Sequence, residues 1–155
     1  MADVDAFFER WLAEEVAERP VLASRLGLDG YDDQLGDLTA AGFHRREEAD
    51  MRWASRLTAL GRGGLTPEQD IDVDLLHGEL AGRAVTADWA AWRRDPNVYL
   101  APCLSGVFTL FLDRLHPEPD LARFAAARLR QVPAALEAGQ ANLDANLASP
   151  VIVER

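Results

Sequence analysis

The sequence predicts an all-α protein, an antiparallel array of about five to seven helices joined by short loops with no substantial sheet. Three observations lead there. Apolar residues recur at three- and four-residue steps along most of the chain. Proline and glycine fall where those runs begin and end. Apart from Val151-Ile152-Val153, no run alternates as a buried strand does.

The first helix is expected from Asp3 or Asp5, either of which can cap free backbone N–H groups, to about Arg19. Phe7, Phe8, Trp11, Leu12 and Val16 form its apolar stripe. Pro20 suits the first position of a short helix ending at Gly27. Gly27 to Asp37 is dense in Gly and Asp and reads as a capped, solvated turn; its aspartates lack the spacing and terminal glutamate of a calcium loop.

Thr39 is the expected cap of a helix over 40–60, stopped by Gly61-Arg62-Gly63-Gly64. Thr66-Pro67-Glu68-Gln69 is a capping box with proline at the first helical position, followed by Ile71, Leu75, Leu76, Leu80 and Val85. The prolines in 93–102 predict an extended or turn-rich crossing before a helix over about 104–115. Asp120 is the expected cap of a last long helix carrying Leu129, Val132, Leu136, Leu143 and Leu147, kinked at Pro133 and ended by Ser149-Pro150. No linker is evident, so residues 1–155 read as one helical segment.

A chain of 155 residues can hide roughly two-thirds of its unfolded surface, and 48% hydrophobic with 27% charged residues is a globular composition. A net charge of -10 argues against nucleic-acid partners and anionic membrane surfaces. The single cysteine, Cys103, excludes an intrachain disulfide and fits a quiet, partly buried thiol. The N-terminus has no secretory pattern, and Val98 to Leu112 is too short and too interrupted to span a membrane. A cytoplasmic protein is expected.

No catalytic or metal-binding residues emerge. His44, His77 and His116 lie in separate elements, and nothing nearby pairs any of them with a nucleophile. His44 belongs to a charged, solvated helix face, and His116 beside Pro117 reads as a helix-end residue. His77-Gly78-Glu79 is half of a zinc-helix motif, but the second histidine one turn on is missing because position 81 is Ala81. His77 therefore reads as a histidine on a partly buried helix face. Asp70, Asp72 and Asp74 complement the positive end of the helix that starts after Thr66.

Three segments taken in order carry a resemblance. Phe7-Phe8-Glu9-Arg10-Trp11 leads through Pro20, Ala23 and Leu26-Gly27 to Gly30-Tyr31-Asp32-Asp33-Gln34-Leu35. Asp95-Pro96-Asn97-Val98-Tyr99-Leu100 follows, then Arg128-Leu129-Arg130-Gln131-Val132-Pro133 with Asn142-Leu143. Together they resemble the N-terminal region of the bacterial domain of unknown function 885 family. The resemblance implies a longer, mostly helical, zinc-metallopeptidase-like protein with a downstream H-E-x-x-P-G-H-H helix. Zinc is thus implied for the full-length family only, and none of its catalytic residues maps onto this chain.

On that implication the chain is an N-terminal helical segment, inactive alone, whose partner is a missing C-terminal catalytic part. Tyr31 and Tyr99, on the two irregular family-like segments, are then candidates to face a substrate cleft, or else pack over helix ends and anchor loops. The alternative is a free-standing helical interaction module, such as a homodimer, using the surface of Trp11, Trp53, Trp89 and Trp92.

Overall fold

The computed structural model describes residues 4–147, and these are all-helical. Seven helices are present among them: α1 (Val4–Glu18), α2 (Pro20–Arg25), α3 (Ala40–Leu60), α4 (Pro67–Asp88), α5 (Ala91–Arg94), α6 (Asn97–Asp113) and α7 (Glu118–Asn142). Asp3, Ser149-Pro150 and the alternating Val151-Ile152-Val153 lie outside the described residues, but the last helix ends at Asn142, short of the Leu143 and Leu147 that the sequence places on it. Connections are short except for the stretch between α2 and α3.

The chain divides into two compact units, Met1–Glu15 with His44–Ala90, and Val16–Phe43 with Ala91–Arg155. Two of the three crossings fall inside α1 and α3, which is why no linker composition marks them in the sequence.

In the first unit, α1, α3 and α4 enclose Phe7, Ala49, Trp53, Leu57, Val73, Leu76 and Leu80. Phe7 meets Trp53 edge to face, 5.3 Å between ring centroids. The Trp53 indole donates to Glu14 Oε2 at 3.0 Å, so its polar end is satisfied as its body is buried. Arg83 reaches both oxygens of the buried Glu15, at 2.9 and 2.7 Å, and also Asp50 and Glu79. Burial disfavours its charged form, but the Glu15 hydrogen bond and charge, with Asp50 and Glu79, outweigh this and raise its pKa.

The buried line on α4 is Val73, Leu76 and Leu80, while Ile71, Leu75 and Val85 are exposed. His77 is exposed as well, not on a partly buried face as the sequence suggests, because it lies between the buried steps at 76 and 80. The Thr66 capping box is present: Gln69 N donates to Thr66 Oγ1 at 3.2 Å, and Thr66 N donates to Gln69 Oε1 at 3.1 Å. Thr66→Ala is expected to destabilise the protein by about 1 kcal/mol in a urea titration.

Just before it, Arg62 bridges Asp70 and Asp74. The Arg62 hydrogen bond holds the Asp74 carboxyl below its ordinary value of 3.8. Its help to the turn is present above that pH and lost as pH falls through the lower folded value. Both groups are exposed, so the contribution is small.

In the second unit, α6 and α7 pack through Leu110, Leu121 and Ala125, and Leu35 joins Cys103 and Ala135. Cys103 is buried, which pushes its thiol pKa up. Two sequence expectations are corrected here. Residues 93–102 are not an extended crossing, because α6 begins at Asn97 and runs through Pro102. Pro96 stands at the cap position, and Asp95 Oδ1, one residue before it, accepts Asn97 N at 2.9 Å. The N–H that Pro102 lacks costs one helical hydrogen bond, offset by burying Tyr99 and Cys103 on the same helix.

Asp120 is likewise not the cap of α7 but a first-turn residue. The helix starts at Glu118, with Pro119 where a backbone donor would have no helical partner anyway. The hydrogen-bonded helix continues through Pro133.

Candidate functional site

The segment over 26–39 is where sequence and structure differ most. It is not a simple solvated turn: Asp32 and Leu35 are both 4% exposed. Gly30 (φ 90°) and Gly36 (φ 95°) supply left-handed turns that L side chains resist. At Gly36 a Cβ would also press on Pro20 Cδ, 3.2 Å away.

One face of α7 holds this segment by its backbone. Arg128, wholly buried, donates to Gly106 O on α6 and, at 3.3 Å, to Tyr31 O. Gln131 accepts Leu35 N at 3.1 Å and donates to Asp33 O at 2.6 Å. Asn142 Nδ2 donates to Leu38 O at 3.2 Å. Burial lowers the Arg128 pKa while the charges of Asp32 and Asp33 work against that shift, and the guanidinium stays charged. The buried line of α7 is Leu121, Ala125, Arg128, Ala135 and Gly139. Leu129 is exposed, contrary to the stripe expected from the sequence, because this line lies on another face of the helix.

On the other side of the loop, Asp32 accepts the Ser24 hydroxyl at 2.6 Å and meets His116 Nε2 at 3.2 Å. His116 is thus more than a helix-end residue, since it ties the segment after α6 to the loop. Its ring packs edge-on to Phe124 at 5.2 Å. Ser, His and Asp invite comparison with a nucleophilic triad, but the order is wrong. The carboxylate stands between serine and histidine, so no base faces the hydroxyl. The adjoining cavity, about 10 Å³, has room for one water at most. It is a structural polar cluster.

Tyr99 is 2% exposed and donates to Trp92 O at 2.6 Å. Its ring lies edge-on to Phe43, which stacks on Trp92, and a Cβ at Gly139 would fall 2.9 Å from Tyr99 Cγ. Tyr31 is half-buried on the clamped loop. The remaining histidines stand apart: His44 is exposed beside Glu47, at 3.2 Å, and His77 is exposed on α4. Among the described residues, no group of three or more His, Cys, Asp and Glu side chains is arranged to hold a metal ion.

Sequence reasoning missed Arg128, Gln131, Asn142, Asp32, Ser24 and His116 as a group. A signal for the first existed: a charged residue in phase with Leu121, Ala125, Ala135 and Gly139. The family-like segments 30–35 and 128–133, far apart in sequence, are the two sides of this clamp. A further face is notable for what it lacks. Leu104, Phe108 and Leu112 on α6 are 71%, 65% and 64% exposed at successive four-residue steps. No charged residue occurs between Asn97 and Leu112.

No helix among the described residues is long and apolar enough to cross a membrane. No curated protein and no solved structure matches the chain. The family described as bacterial protein of unknown function (DUF885) matches residues 20–155, which include both sides of the clamp and the whole of α6. The match covers most of the sequence, and the chain belongs to that family.

Proposed function

We propose that this chain is the N-terminal helical part of a larger zinc-peptidase-like protein and forms one wall of a helical body around a substrate cleft, with no reacting group of its own. The observation that carries this reading is the use of the family-like segments. Their polar side chains, Arg128, Gln131 and Asn142, hold backbone carbonyls and an amide of the 31–38 loop, a structural use that supports the reading as a wall. The uncharged, exposed face of α6 supports the same reading, since a wall of a larger body has a face for the rest of that body to cover.

The residues described do not fit a zinc site. His44, His77 and His116 stand on separate elements, and Ala81 occupies the position one turn beyond His77. In this reading zinc is held by other residues, those of the H-E-x-x-P-G-H-H helix that the resemblance implies. Tyr31, half-buried on the clamped loop, lines the cleft in this reading, while Tyr99 anchors α6 to α7.

Reading the coding sequence past Arg155 tests the proposal. The expected result is an H-E-x-x-P-G-H-H segment in the same or a neighbouring frame, and an authentic stop without one would count against it. The exposed α6 face also favours a second reading, a helical module that pairs with its own copy. Light scattering separates the two: a dimer dispersed by Phe108→Asp supports pairing, and a monomer supports the wall.

A further inference from the structure

The first unit carries a groove that neither the clamp nor the family reading uses. It lies between α1 and α4 and has a volume of about 660 Å³, within the range of ligand-binding clefts. Phe8, Trp11 and Leu12 from α1 and Leu75 and Leu76 from α4 form its apolar floor. Leu12 and Leu75 are 44% and 67% exposed, so the floor opens to solvent.

Its rim is acidic on both sides, with Asp5 and Glu9 on α1 and Asp72 and Glu79 on α4. Neither Arg nor Lys is among the lining residues. Asp5 is held by the neutral Gln69 amide at 2.9 Å. Glu79 pairs with Arg83, but that one cation also serves Glu15 and Asp50. The lining therefore carries four carboxylates and no cation beside its apolar residues.

We propose that this groove binds a cationic amphipathic helix of a partner protein. The complement of an apolar strip between two rows of carboxylates is a helix with apolar residues at three- and four-residue steps and Lys or Arg on both flanks. The apolar face seats on Phe8, Trp11 and Leu75. The flanking cations meet Asp5 and Glu9 on one side and Asp72 and Glu79 on the other. A cation beside Trp11 gains from the indole face as well.

A labelled synthetic peptide of about fifteen residues, patterned from Leu and Lys as an amphipathic helix, is titrated with the full chain by fluorescence anisotropy. A peptide of the same composition in scrambled order is the control. Specific binding is expected to favour the patterned peptide by about tenfold or more. The double variant Glu9→Gln, Asp72→Asn and the single variant Leu75→Ser are each expected to weaken binding by about tenfold. All three positions are exposed, and helix content by circular dichroism checks that the variants fold.

All sixteen Arg and Lys residues are arginines, so carbodiimide coupling to a lysine-bearing peptide joins a carboxylate of the chain to an amine of the peptide. Cross-links at Glu9 or Asp72 are expected. Equal binding of both peptides, or binding indifferent to the variants, would overturn the proposal by reducing it to non-specific charge attraction. A dimer that Leu75→Ser disperses would overturn it too, since a second copy would then occupy the groove.

Discussion

Arg128→Met is expected to destabilise the protein by about 3–5 kcal/mol, the largest effect of any single change considered for this chain. The side chain is wholly buried and reaches carbonyls on two segments, Gly106 O on α6 and Tyr31 O in the loop. Methionine fills a similar volume but leaves both carbonyls without that donor. It also removes the cation that offsets the buried Asp32. A urea titration followed by circular dichroism measures the loss as a lower midpoint. Arg128→Lys keeps the charge but not the planar fork and is expected to recover less than half of it. A change below about 1 kcal/mol would mean that the clamp is dispensable.

Gly139→Val is expected to cost about 2–3 kcal/mol by overpacking. A Cβ there would lie 2.9 Å from Tyr99 Cγ and 3.2 Å from Cδ2. The ring has little room to retreat, because it is 2% exposed, its hydroxyl is held by Trp92 O and Phe43 packs edge-on to it. The gain in helix propensity on losing a glycine, under about 1 kcal/mol, does not offset that clash. Gly82 on α4 provides the contrast. Nothing lies within 4 Å of a Cβ at that position, so Gly82→Ala is expected to stabilise by about 0.5–1 kcal/mol. Thermal melts of the two variants should move in opposite directions.

These two sites also mark what the sequence did and did not reveal. The start of α4 and the bounds of α3 were legible because their chemistry is local. Thr66-Pro67 and the bounds of α3 stand where capping and glycine signals put them. Asp95-Pro96 also lies at a helix start, but Pro102 further on suggested a broken segment. The burial of Tyr99 and Cys103 on the same helix offsets the donor that Pro102 lacks. Which face of a helix is buried was harder to read. On α7 the core line is made of small residues and an arginine, while the larger Leu129 and Leu136 point to solvent. A pattern search that weights size and apolarity selects the wrong face.

The clamp was hidden for a related reason. Loop composition signals a turn but not its partners, and the contacts of Tyr31, Asp33, Leu35 and Leu38 with α7 join residues about a hundred positions apart. Likewise the Ser24–Asp32–His116 cluster draws on three separate segments. Nothing local distinguishes His116 from a helix-end histidine. The family-like motifs marked these positions without giving their role.

The proposal makes this chain a structural wall, with zinc held by residues outside it. Zinc content by elemental analysis tests it most directly, comparing residues 1–155 with the same chain extended through the H-E-x-x-P-G-H-H segment, both after dialysis against excess zinc and then zinc-free buffer. No stoichiometric zinc is expected on the short chain and about one equivalent on the extended one. About one equivalent retained by the short chain and lost on His77→Ala would contradict it.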